Sequence, residues 1–160
     1  MKNSIKIPLT QGRYALVDKD DVWIIFFKWC AHREGKRFYA VTNLLKIEAV
    51  SATQVRMHQL IMGCIGIDHI NGNGLDNRRS NLRIATCSQN NYNRTKSSGT
   101  SSRFRGVYFD RDKSKWAAQI KKYGKVTYLG SYGSEKLAAA ARRKKEFELF
   151  GEFANRSTAL

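Results

Sequence analysis

Residues 67–94 read IDHINGNGLDNRRSNLRIATCSQNNYNR, and this stretch decides the reading of the chain. Asp68 and His69 stand side by side after a short apolar run. Asn81 follows His69 by twelve residues and Asn90 follows Asn81 by nine. A loop so rich in Asn, Gly, Asp and Arg cannot build a core, so it is either a plain surface turn or a place where chemistry is done. Asn71-Gly72 and Asn73-Gly74 tolerate positive φ and let the chain reverse. Leu82–Ala85 then reads as a return strand, and Thr86 or Ser88 as the cap of a helix carrying Asn90. Strand, long loop, strand and helix would let Asp68 and Asn90 meet and present oxygens, which suit a hard divalent cation such as Mg²⁺. The His69 imidazole beside them could take a proton from water near neutral pH. Asn81 would bond the loop backbone and hold the imidazole in orientation.

The run D-H-I-N-G-N-G-L-D-N-R-R-S-N-L-R-I-A-T followed by S-Q-N-N resembles the HNH nucleases, the ββα-metal group, in the form found in phage and intron-encoded homing endonucleases. The likeness covers roughly residues 56–94. It implies that His69 is the general base, that Asp68 and Asn90 ligate one metal, and that Asn81 braces the loop. Asn90 fills the last position where the family name has His.

Charge points the same way. The 160 residues hold 29 Lys and Arg against 13 Asp and Glu, a net charge of +16. Such a balance says little about fold and much about partners, with nucleic acid ahead of an anionic membrane. No apolar run approaches the ~20 residues that span a bilayer, and no secretory leader is visible. The reading is therefore an intracellular protein, in a bacterial or phage-infected host cytoplasm. Cys30, Cys64 and Cys87 form no C-x-x-C pair, so neither a disulfide framework nor a structural zinc site is indicated.

Residues 1–55 read as β-rich, with IKIPL, RYALV, VWIIFFKW and FYAV as strand-like runs. Asp20-Asp21 could instead cap a short helix over Val22–Phe27, since a continuous apolar run hides its period. Trp23, Phe26, Phe27, Trp29 and Tyr39 read as core. Arg33, Lys36 and Arg37 make a basic turn that suits either phosphate contact or a solvated hairpin tip. Val55–Gly63 reads as a short helix ending at glycine. His58, on that helix, would either approach the scissile phosphate or serve packing. Arg78, Arg79, Arg83 and Arg94 are candidates to hold phosphates through forked guanidinium contacts.

Thr95–Ser102 (TKSSGTSS) is a flexible linker by composition. The predicted layout is an HNH domain with its β-rich part over 1–94, a linker over 95–102, a second domain over 103–154 and a tail over 155–160. Net charge is +7 through Arg94 and +9 beyond it. In the second domain, RFRGVYFD, KWAAQIKKY and KVTYLGSY read as three strands. A helix capped by Ser134 follows, with Leu137, Ala140, Ala141, Lys144 and Phe147 at helical spacing. The order R-G-V, W-A-A-Q-I, Y-L-G-S-Y and S-E-K-L-A-A-A-A-R resembles the AP2 DNA-binding domain. That likeness implies a sheet laid in the major groove with Arg105, Tyr108, Trp116, Gln119, Lys121 and Tyr128 facing DNA. The first turn departs from the plant-type pattern, and Arg111, Lys113 and Lys115 are the candidates there to reach a base.

The fold class expected is α+β, and the partner is double-stranded DNA with no obligate protein partner evident. The function expected is metal-dependent hydrolysis of phosphodiesters in duplex DNA. The rivals are a DNA-binding regulator with a degenerate HNH unit and, on charge alone, a structured-RNA binder.

Overall fold

The computed structural model describes residues 4–44, 53–93 and 101–155. Arg94 and most of the expected linker and tail lie outside them. The chain is α+β, built from small antiparallel sheets and few helices. Its internal contacts divide it into Met1–Thr86 and Cys87–Leu160.

In the first unit β1 (Ser4–Pro8) pairs with β2 (Tyr14–Asp18). A 3-10 helix follows over Lys19–Phe26, kinked at Asp21. The ambiguous apolar run thus takes the helical course. Only Ile24 of its apolar residues is buried, while Trp23 and Phe26 are exposed, Phe26 at 84%. The expectation of core positions for these two is corrected: a short helix with the Ile24 side inward has no inward place for them. Trp29 is buried, and its indole nitrogen donates to the Ile24 carbonyl at 2.8 Å. β3 (Cys30–Glu34), β4 (Arg37–Leu44) and β5 (Thr53–Arg56) form a second sheet. The helix α1 (Met57–Met62) ends at Gly63 and sends Met57 and Ile61 into the core with Ile7, Val17, Ile24 and Trp29.

The decisive stretch folds as β6 (Ile67–His69), a loop, and β7 (Leu82–Ile84), with Asp68 opposite Arg83 and His69 opposite Leu82. The loop is pinned from both sides. Asn71 and Asn73 accept from the backbone N–H groups of Asn73 and Leu75, the local turns that short amides make. Leu16 of β2 exchanges backbone bonds with Leu75 and Asn77, both 2.8 Å. Gly74 lies flat on β4, where a Cβ would sit 2.6 Å from the Tyr39 ring, so no larger residue fits.

In the second unit α2 (Cys87–Tyr92) comes first, its Tyr92 ring stacked on Phe150 at 3.9 Å between centroids. The sequence reading joined this helix to the nuclease hairpin; its contacts group it with the second unit. β8 (Val107–Asp110), β9 (Lys115–Lys122) and β10 (Lys125–Tyr132) form an antiparallel sheet in the order β10-β9-β8. Helix α3 (Glu135–Phe150) packs on it, capped by the Ser134 hydroxyl accepting from Leu137 N–H at 3.3 Å. Ser101 and Ser102 belong to this unit: Ser102 is buried and donates to Glu135 at 2.7 Å.

The buried stripe of α3 is Ala138, Ala139, Arg142, Glu146 and Phe150. Leu137 and Phe147 are exposed, which corrects the face expected from their spacing. The reason is an Arg142–Glu146 ion pair, at 2.5 Å, taken into the interface in their place. Gly106 makes room for it: at φ +69 a Cβ there would collide with the Gln119 carbonyl and the Arg142 side chain. No helix among the described residues is long and apolar enough to cross a membrane.

Candidate functional site

The centre of the first unit's site is His69, the last residue of β6, with 6% of its surface exposed. Its Nε2 lies 3.2 Å from Oδ1 of Asn77, a residue the sequence reading quoted and gave no role. The His58 ring meets His69 edge-on at 4.7 Å, and Tyr39 stands 5.9 Å away. Burial holds the His69 imidazole below its ordinary pKa, although Asn77, Asp68 and Asp76 all pull it upward. The ring is therefore neutral near pH 7, the form that accepts a proton.

His58 is buried at 3% exposure, and burial, then the charges of His69 and Arg56, push its pKa down to about 3. This has a measurable consequence. The unfolded histidine takes a proton near its ordinary value of 6.5, whereas the folded one stays neutral until about pH 3. The stabilisation is complete above 6.5 and is lost as the pH falls through the window below it. The slope is about 1.4 kcal/mol per pH unit for one such group. Urea unfolding should show roughly 2 kcal/mol less stability at pH 5 than at 6.5 from His58. His58→Phe should flatten that dependence, and an unchanged slope would refute the burial argument.

Asn81 does not touch the imidazole. Its side chain accepts from Asn71 N–H at 3.0 Å and donates to the Asn71 side chain and the Asp76 carbonyl at 3.0 and 2.8 Å. It ties the loop's two ends together, and Asn77 holds the ring. Asp68 faces Arg83 across the hairpin, as direct cross-strand neighbours of opposite charge do. Arg83 Nε and Nη2 donate to Asp68 Oδ2 at 3.0 and 2.6 Å. Asn90 is exposed on α2, in the second unit.

Arg78, Arg79 and Arg83, expected to hold phosphates, are each paired with a carboxylate. Arg78 forks onto Asp76 with two bonds of 2.7 Å. Burial raises the Asp76 pKa, but the Arg78 fork outweighs it and the net shift is downward. Arg79 forks onto buried Asp21 at 2.9 and 2.7 Å and adds a bond to the Ile61 carbonyl. With Arg83 on Asp68, all three guanidiniums are engaged by carboxylates of this unit. Arg37 of the basic turn is a cation placed differently. It forms no ion pair among the described residues, and its Nη2 would lie 3.4 Å from a Cβ built on Gly72. It also lowers the His69 pKa through space.

Among the described residues no group of three or more His, Cys, Asp or Glu is placed to hold a metal ion. The donor chemistry near His69 nevertheless fits a hard cation. Asp68 offers a carboxylate, to which Arg83 donates at Oδ2. Mg²⁺ commonly takes one or two carboxylates and keeps water elsewhere.

In the second unit β9 sorts its side chains by alternation. Ala118 and Ile120 enter the clusters beneath α3, and Trp116, two residues before Ala118, packs against the cluster that holds Ala118, Ala138 and Ala139. Trp116 is thus a core-flanking residue on the side away from the open face, which corrects its placement among DNA-facing groups. Arg105 is corrected too: its Nη1 and Nη2 donate to the Tyr92 and Asn91 carbonyls at 2.8 and 3.2 Å, where a cation suits the end of α2. The opposite face carries Lys115, Gln119 and Lys121, with Tyr128 opposite Gln119 and Tyr108 opposite Ala117. Lys113 stands 5.7 Å over the Tyr128 ring, and Arg111 is exposed in the same turn. This face is basic and aromatic together.

Two comparisons bear on this geometry. A family model described as HNH endonuclease matches residues 65–92, which span β6, the loop, β7 and α2. A protein of Acanthamoeba polyphaga mimivirus, described as an uncharacterized HNH endonuclease, is 30% identical over 145 residues, covering 90% of this chain and 74% of the relative. The chain belongs to the HNH endonuclease family. No solved structure matches this HNH chain. The family match includes Asp68, His69, Asn77, Asn81 and Asn90, so the positions singled out on chemistry lie inside the stretch that defines the HNH family.

Proposed function

We propose that the chain is a metal-dependent DNA endonuclease of the HNH homing type. The observation that carries this reading is a buried, neutral His69 held by Asn77 beside Asp68, within the family's own motif. His69 takes a proton from water, whose oxygen attacks phosphorus while the bond to the 3′ oxygen breaks. Arg37 holds a non-bridging phosphate oxygen through its fork. Asp68 is one metal ligand, and the resemblance assigns the second oxygen to Asn90 by its place in the motif. When bound, a divalent cation such as Mg²⁺ supplies electrostatic stabilisation of charge on the phosphate and the leaving oxygen.

The second unit grips duplex DNA in the manner the AP2 resemblance implies. Gln119 and the turn residues Arg111 and Lys113 reach base edges or phosphates, and Tyr108, Lys121 and Tyr128 line the contact. Lysines at phosphates add affinity without reading sequence.

A specific observation favours a second reading. The Arg83 fork engages Asp68, the carboxylate next to His69 in sequence, as it would in a regulator whose HNH unit no longer cuts. Mapped cleavage of a duplex library with and without Mg²⁺ separates the two. Nicks that require Mg²⁺ and vanish in Asp68→Ala support the nuclease; binding without nicks in either condition leaves the regulator. Competition by duplex RNA across salt concentrations tests the structured-RNA rival.

A further inference from the structure

We propose that Asn77 fixes which nitrogen of His69 carries the proton, making Nδ1 the basic atom of the site. This deepens the nuclease reading and rests on it. Asn77 is fully buried, and its backbone N–H is tied to Leu16 of β2 at 2.8 Å. Its side-chain amide has two neighbours of opposite character. Nδ2 donates to the Met57 sulfur at 3.4 Å, and Oδ1 faces His69 Nε2 at 3.2 Å. A thioether sulfur carries no hydrogen and can only accept. Turning the amide over would set its oxygen against that sulfur and leave a buried acceptor unsatisfied. Met57, itself fully buried at the start of α1, therefore determines the direction of the Asn77 amide.

The rest follows from proton counting. The Asn77 oxygen has no proton to give, so Nε2 of His69 is the donor. A neutral imidazole has one N–H, and its lone pair then belongs to Nδ1. A proton taken from water arrives at Nδ1, and the same Asn77 oxygen faces the Nε2–H of the imidazolium that forms. Asn77 is a positioning residue: it acts on the reaction only through His69.

The test is a long-range ¹H–¹⁵N spectrum of the histidine rings in the full chain at neutral pH, with the His69 signals identified by their loss in His69→Gln. The expected result is His69 protonated at Nε2 in the wild type and in Asn77→Asp, which keeps an acceptor oxygen. In Asn77→Leu that preference should be lost. On duplex substrate with Mg²⁺, Asn77→Leu should lower kcat by about 10²-fold, leave KM within twofold, and be largely rescued by Asn77→Asp. Wild-type His69 protonated at Nδ1 overturns the proposal. A folded Asn77→Leu with the wild-type spectrum and kcat overturns it too. Should Asn77→Leu fail to fold, the wild-type and Asn77→Asp spectra decide on their own. A wild type that does not cut DNA ends the nuclease reading, and the spectra still decide the tautomer.

Discussion

His69→Ala is expected to leave duplex DNA bound and uncut. A positioned base contributes about 10²–10⁴ in rate, and the imidazole is used only as the water is deprotonated. The loss should therefore fall on kcat, with DNA affinity close to wild type. On the proposed reading, binding is carried by other groups, the Lys115, Lys121, Lys113 and Arg111 side chains of the second unit. His58 is the one nearby ring that could stand in, with its centroid 4.7 Å from that of His69. It is buried and its pKa is pushed down to about 3, so it is a weak base in that role. The measurement is supercoiled plasmid nicking in Mg²⁺ beside a gel-shift titration of the same protein. Nicking by His69→Ala at near the wild-type rate would end the assignment.

Glu146→Ala is expected to lower the melting temperature of the second unit sharply. Arg142 and Glu146 are paired at 2.5 Å with side chains 9% and 2% exposed. Arg142 Nε has no hydrogen-bond partner, so the carboxylate is the main compensation for that buried charge. Removing one member of such a pair typically costs about 3–5 kcal/mol, because the other is left buried and uncompensated. Replacing both, as in Arg142→Met with Glu146→Leu, should recover most of the loss. Thermal melts of the full chain measure both variants, and a Glu146→Ala protein that melts with the wild type refutes the account.

Much of the site was legible in sequence because its signals are local. The Asp68-His69 pair, the Asn-Gly turns and the spacing to Asn81 sit within fifteen residues, and β6, the loop and β7 follow from them. What stayed hidden depends on partners distant in the chain. Arg79 read as a phosphate contact because its carboxylate, Asp21, lies 58 positions away. Asn77 had no role because the groups that orient it, Met57 and His69, meet only when α1 and β6 are packed. On α3, periodicity found a helix but chose the wrong face, since apolar spacing cannot anticipate a buried Arg–Glu pair. The run Val22–Phe27 had no readable period, and only packing around Ile24 settled its course.

The three arginine forks of the first unit change how this protein should feel salt. Composition suggests an enzyme that sheds many counterions on meeting DNA, as every free cation laid on a phosphate does. Arg78, Arg79 and Arg83 already have carboxylates as their counterions, so they displace none. The share of the ionic-strength dependence that composition would assign to these three side chains should then be missing from the measured slope.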